Sequence, residues 1–195
     1  RVGPGAPHHL VLSGDGPATT GHPLPVHVAV VERLANVAAP TADDPVAPYT
    51  GTITFTTAPP MPAVAPSLPG PTAFVAADLS EKDVTTTWFT AGTWQLRASG
   101  TGLSAATIPI IVEAGTANAL DVALPATSKA GVASALVISA RDPSGNIDPS
   151  FVGTVSLSDD DPASDLPTSI ELSASDAGTR TLDVVFSLPG QRTVT

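Results

Sequence analysis

Residues 130–167 read AGVASALVISARDPSGNIDPSFVGTVSLSDDDPASDLP, and their pattern decides the fold class. Leu136 and Ile138 alternate with Val137 and Ser139, the period of a half-buried strand. Asp142 to Asn146 then reads as a polar turn. Phe151 to Val155 opens the next strand. Pro143, Pro149, Pro162 and Pro167 each bar a helix interior, because proline lacks the N–H and clashes with the preceding turn. The same signals recur outward from this stretch. Val26, Val28 and Val30 fall on one face, Ile53 and Phe55 alternate with threonines, and Leu182, Val184 and Phe186 share another face. The long proline-free run Thr72 to Ile108 contains a possible helical turn over 76–83. Gly92, Gly100 and Gly102, with Thr85 to Thr87, favour a strand–turn–strand corner there instead. The chain reads as all-β.

The sequence also repeats itself. A shift of 110 aligns Leu10 with Leu120, Gly21 with Gly131, Val26 with Leu136, Val28 with Ile138 and Asn36 with Asn146. A shift of 102 sets Tyr49-Thr50-Gly51-Thr52-Ile53 on Phe151-Val152-Gly153-Thr154-Val155. A shift of 98 sets Asp78 on Asp176, Val84 on Leu182, Trp88 on Phe186, Gly92 on Gly190 and Leu96 on Val194. The shift changes only where loops absorb insertions. The expected organisation is an arm over 1–7, a first module over 8–113, a short linker over 114–116 and a second module over 117–195. Expected strands in the first module are 9–12, 25–32, 52–57, 72–77, 83–89, 93–99 and 107–113. In the second they are 119–123, 133–141, 153–158, 169–174, 180–187 and 191–195. No counterpart of 107–113 follows, so the second module is expected to present an open edge at Thr193 and Val194.

Composition narrows the function classes. The chain has 195 residues, a net charge of −10, 21 prolines and no cysteine. Disulfide scaffolds and thiolate metal sites are excluded. Two lysines and six arginines against 18 acids give no basic footprint for nucleic acid. No apolar run approaches the roughly 18 residues of a membrane helix. The start, Arg1 to Pro7, has no apolar leader and no initiator Met, so an internal boundary is expected there.

Several motifs together are similar to a known family. They are Ala130-Gly131, the turn from Asp142 to Asn146, Phe151-x-Gly153-Thr154, the loop Ser158 to Pro162, the corner Ala174 to Gly178 and Pro189-Gly190. This order resembles the tandem immunoglobulin-like repeats, of filamin or invasin type, of large bacterial surface and secreted proteins. The resemblance covers nearly the whole chain and implies two tandem immunoglobulin-like β-sandwiches, the second without its last strand. The first module departs from the pattern by an insertion near 38–48, a Pro-rich loop over 59–71 and Ser80 in place of the second corner glycine.

Candidate sites are sparse. Asp159, Asp160, Asp161 and Asp165 are the candidate calcium ligands, since Ca²⁺ takes six to eight oxygens. The D-x-D-x-D-G spacing is missing, and a solvated acidic turn is the competing reading. Asp78 and Asp176 recur at equivalent corners, as expected for carboxylates that bond their own turn. His8, His9, His22 and His27 lack partners that complete a zinc tetrahedron. Trp88 reads as core, whereas Trp94 aligns with Arg192 and is the one aromatic nominated for a binding surface. The Pro-rich loop reads as a stiff crossover rather than a polyproline ligand. No G-x-S-x-G, P-loop or G-x-G-x-x-G is present, so no catalytic residue and no cofactor are expected.

The expected function is a non-catalytic spacer or protein–protein interaction module of a bacterial surface or secreted protein. Its expected partners are other proteins or neighbouring repeats, with self-association, and neither nucleic acid nor a membrane span. Two alternatives stand beside it. One is a filament or assembly subunit completed by strand sharing between chains. The other is carbohydrate binding through Trp94.

Overall fold

The computed structural model describes residues 6–14, 16–33 and 48–195. Asn36, most of the insertion near 38–48 and the arm's first five residues lie outside them. The chain is all-β and divides into two compact units, Arg1–Glu113 and Ala114–Thr195.

The first unit contains β1 (His9–Gly14), β2 (Ala18–Thr19), β3 (Pro23–Val31), β4 (Thr52–Ala58), β5 (Thr72–Ala73), β6 (Glu81–Thr87), β7 (Gly92–Gly100) and β8 (Ala106–Glu113). One sheet runs β1-β3-β6 and the other β2-β8-β7-β4-β5. Alternation explains their shared core. Leu10, Leu12, Val26 and Val28 enter from the first sheet, and Ile53, Phe55, Leu96, Ile110 and Val112 from the second. Trp88 is fully buried between them, and its indole N–H donates to Thr86 Oγ1 at 3.0 Å, so the polar end of the ring is satisfied.

The second unit contains β9 (Ala119–Ala123), β10 (Ala133–Arg141), β11 (Gly153–Ser156), β12 (Ser169–Leu172) and β13 (Thr179–Val185). Its sheets run β13-β10-β9 and β11-β12. Leu136, Ile138, Val155, Leu157, Leu172, Val184 and Phe186 form its core.

The pairing registers carry the repeat. His9 faces Val31 in β1–β3, and Ala119 faces Arg141 in β9–β10, both displaced by 110. Val26 faces Val84, and Leu136 faces Leu182. Ile53 faces Thr72, and Val155 faces Ile170. Turn bonds repeat as well: Gly21 N donates to Trp88 O at 2.8 Å, and Gly131 N to Phe186 O at 2.8 Å.

Two strand expectations are corrected. The strand expected over 72–77 stops at Ala73. Phe74 turns inward to 1% exposure, and the Asp78 carboxylate accepts the Val75 N–H at 2.8 Å, closing a 3-10 turn over Ala76–Asp78. The strand expected over 191–195 is reduced to one bridge, Val194 with Asp159. Among the described residues no strand pairs with the other side of that segment. The sequence reading also missed β2, whose two residues are too few to show a period.

Candidate functional site

In the acidic loop the side chains serve the backbone. Asp161 is 3% exposed, and its carboxylate accepts N–H groups from Ala163 at 3.0 Å, Ser187 at 2.8 Å and Leu188 at 3.0 Å. The Leu188 bond leads in holding this carboxyl below the usual carboxylate range. Asp159 accepts from Asp161 N at 2.6 Å and Ser164 Oγ at 2.7 Å. Asp160 accepts from Thr193 N at 3.1 Å, and Asp165 from Val185 N at 2.6 Å. The four candidate calcium ligands therefore each hold a different strand or turn. Among the described residues no three His, Asp or Glu side chains gather as a metal cage.

Other acids act alike. Asp142 accepts from Gly115 N, Ser144 N and Asn146 N at 2.8–2.9 Å. Asp148 accepts from Ala117 N at 2.8 Å and from the Ser150 hydroxyl at 2.6 Å, the latter leading in lowering its pKa. The corner acids behave as expected. Asp176 Oδ2 takes the Ser173 N–H at 2.7 Å, which holds its carboxyl low, just as Val75 does for Asp78.

Trp94 is half-buried against the first core, on β7. Its indole N–H donates to Thr90 O at 2.6 Å, and its ring lies over Gly92, where an added Cβ would meet it at 3.2 Å. His8 and His9 meet edge to face at a 5.6 Å centroid distance, whereas His27 Nδ1 lies 2.9 Å from Asp83 on the neighbouring strand. The Pro-rich loop is held by a reciprocal bridge, Ser67 with Thr87 at 2.8 and 2.9 Å.

The open edge has more structure around it than Thr193 and Val194 indicated. Val194 is half-buried against the second core, and Thr195 exchanges two backbone bonds with Ser158 at 2.8 and 2.9 Å. Beside this segment lies a cavity of about 390 Å³, lined by Leu124 to Ser128, Ser134, Phe186 and Gly190 to Arg192. The sequence reading missed its far wall, 124–128. The signal was available, because the 110 shift carries β2 onto Ser128 and Lys129.

No family model matches this chain, and no curated protein matches it. It is similar to domains 5–6 of the S-layer protein SbsC, with TM-score 0.39, 15% identity, and 97% of this chain and 89% of that one covered. It is also similar to domains 4–9 of the surface layer protein SbsC, with TM-score 0.36, 15% identity, and 96% of this chain and 29% of that one covered. The apo β-glucuronidase 3 of Bacteroides uniformis matches with TM-score 0.28, 13% identity, and 90% of this chain and 21% of that one covered.

Proposed function

We propose that the chain is a non-catalytic structural element of a bacterial surface or secreted protein: two tandem immunoglobulin-like β-sandwich repeats that act as a spacer or interaction unit. The observation that carries this reading is the repeated register, three pairings and one turn bond reproduced at the same sequence offsets. A spacer needs stable, self-contained units, and here the acids on the second unit's loops are spent on bonding their own backbone. The motif resemblance supports the surface or secreted location. Pulling the chain by its two ends tests the reading. Two discrete force-resisting unfolding events, one per unit, are expected, and extension without discrete events overturns it.

A second reading, an assembly subunit completed by a shared strand, is favoured by the cavity along 190–192. Light scattering after size exclusion tests it: species well above 19.5 kDa support sharing between copies, whereas a single species of that mass counts against it.

A further inference from the structure

Asp142, Asp148 and Asp161 are each followed by a proline, and they share one wiring. One carboxylate oxygen closes the residue's own turn. Oδ1 accepts the N–H two positions on, from Ser144 at 2.9 Å, Ser150 at 2.9 Å and Ala163 at 3.0 Å. The proline in between restricts the preceding aspartate to extended backbone, so few other conformers compete with this turn. The other oxygen reaches a segment far along the chain. Oδ2 of Asp161 takes the Ser187 and Leu188 N–H groups at 2.8 and 3.0 Å. Oδ2 of Asp142 takes the Gly115 N–H at 2.9 Å, and Oδ2 of Asp148 takes the Ala117 N–H at 2.8 Å. Asp142 and Asp148 are 3% and 4% exposed, so both carboxylates are withdrawn from water.

Two of these three tethers therefore fall on the connector that leads into the second unit. Residues 114–118 carry no strand, and Thr116, between the tethered residues, is exposed. Ladder pairing begins only with Ala119 on Arg141, preceded by a bond from Asn118 N to Arg141 O at 2.9 Å. We propose that Asp142 and Asp148 form a latch that fixes the connector to the second unit and opens as a local event, without unfolding that unit. Hydrogen bonds to an ionised acceptor are the strong class, and two of them, two residues apart, hold a segment that apolar burial does not. Among the described residues the second unit's core takes nothing before Val122, so releasing 114–118 uncovers none of it. Opening then costs the tethers and not apolar area, which places it below global unfolding. The latch is written into this junction and not into the repeated module. The shift of 110 carries Asp142 onto Glu32 but Ala117 onto Pro7, which has no N–H to give. Tension on the connector meets the second unit at Gly115 and Ala117 before it reaches β9, and an opened latch adds 114–118 to the extensible chain.

The latch fails separately from the spacer reading, since two unfolding events are expected with the latch open or closed. Native-state amide exchange on the full chain tests it. The Gly115 and Ala117 amides are expected to be protected at least tenfold more than that of Thr116, and less than those of Leu136 and Ile138 in β10. Asp148→Asn removes the charge and one acceptor oxygen. It is expected to speed exchange at Ala117 at least tenfold while leaving Leu136 and Ile138 unchanged. Any of three results overturns the proposal: Gly115 and Ala117 exchanging as fast as Thr116, Ala117 keeping its protection in Asp148→Asn, or β10 losing protection by the same factor as Ala117. Should Asp148→Asn fail to fold, the unmodified chain decides alone. Protection at 115 and 117 between that of Thr116 and that of β10 supports the latch, and equality with either overturns it.

Discussion

At the scale of single residues, the motifs have mechanical causes. The aromatic-x-Gly-Thr signature exists because the ring folds back over the glycine two positions on. Tyr49 occupies the space that a Cβ on Gly51 would need, and Phe151 lies 3.2 Å from the same point on Gly153. The two copies differ by one hydroxyl. Tyr49 Oη is buried without a hydrogen-bond partner among the described residues, and burial pushes its pKa up. Tyr49→Phe is therefore expected to raise stability by about 1 kcal/mol in urea unfolding, because an unpaired buried polar group costs roughly that or more. The corner offers the opposite case. Gly178 sits at φ +76°, and a Cβ there would collide with the Asp148 carbonyl oxygen. Gly178→Ala should cost about 2 kcal/mol or more in the same measurement, since the left-handed backbone alone costs roughly 1–2. Ser80 accepts this strain at φ 69° in the first copy, and its hydroxyl receives the Tyr49 N–H at 2.9 Å. The carboxylates set the pH response. Asp78, Asp148, Asp161 and Asp176 all titrate lower folded than unfolded. Their contribution is complete above the unfolded carboxylate pKa of about 3.9 and drains away as pH falls through the lower folded values. Thermal melts should fall steeply in that acid range, and Asp161→Asn should flatten the fall while lowering the melting temperature at neutral pH. Because the loop carboxylates are engaged with N–H groups, adding calcium or a chelator is expected to leave the neutral-pH melt unmoved.

At the scale of elements, the long central strands were legible and the short ones were not. β10 spans Ala133–Arg141, the bounds its alternation indicated, because both of its edges are paired and one face is buried over its whole length. β5 and β2 are two residues each, held by neighbours and turns rather than by any period of their own. The segment 191–195 shows the same dependence in reverse. Its apolar residue Val194 is in place against the core, but its pairing is limited to one bridge with Asp159. Its counterpart β7 is paired on both sides. Amide exchange over 190–195 is therefore expected to be far faster than over Gly92–Gly100; equal protection would mean the open side is already covered.

At the scale of the whole molecule, one sequence pattern is written twice. The first unit closes its core with Ile110 and Val112, and among the described residues no counterpart joins the second unit's core. Burying two such aliphatic side chains is worth about 3–6 kcal/mol. Segment-resolved exchange under increasing denaturant should therefore show the second unit opening first, by an amount of that order. The sequence by itself determined the strand class, the duplication and the three offsets, because alternation and turn residues act locally and each copy restates them. Alignment of the two copies also raised the expectation of an edge at Thr193 and Val194. Only the tertiary structure decided what stands opposite that edge. One wall of the cavity beside it comes from 124–128, far along the chain from 190–192, and no local pattern joins them. It likewise decided which backbone groups the acidic loop's carboxylates bond. Whether an aspartate meets solvent, a cation or a backbone N–H depends on which strand end the fold brings beside it, and here Ser187 and Leu188 arrive beside Asp161.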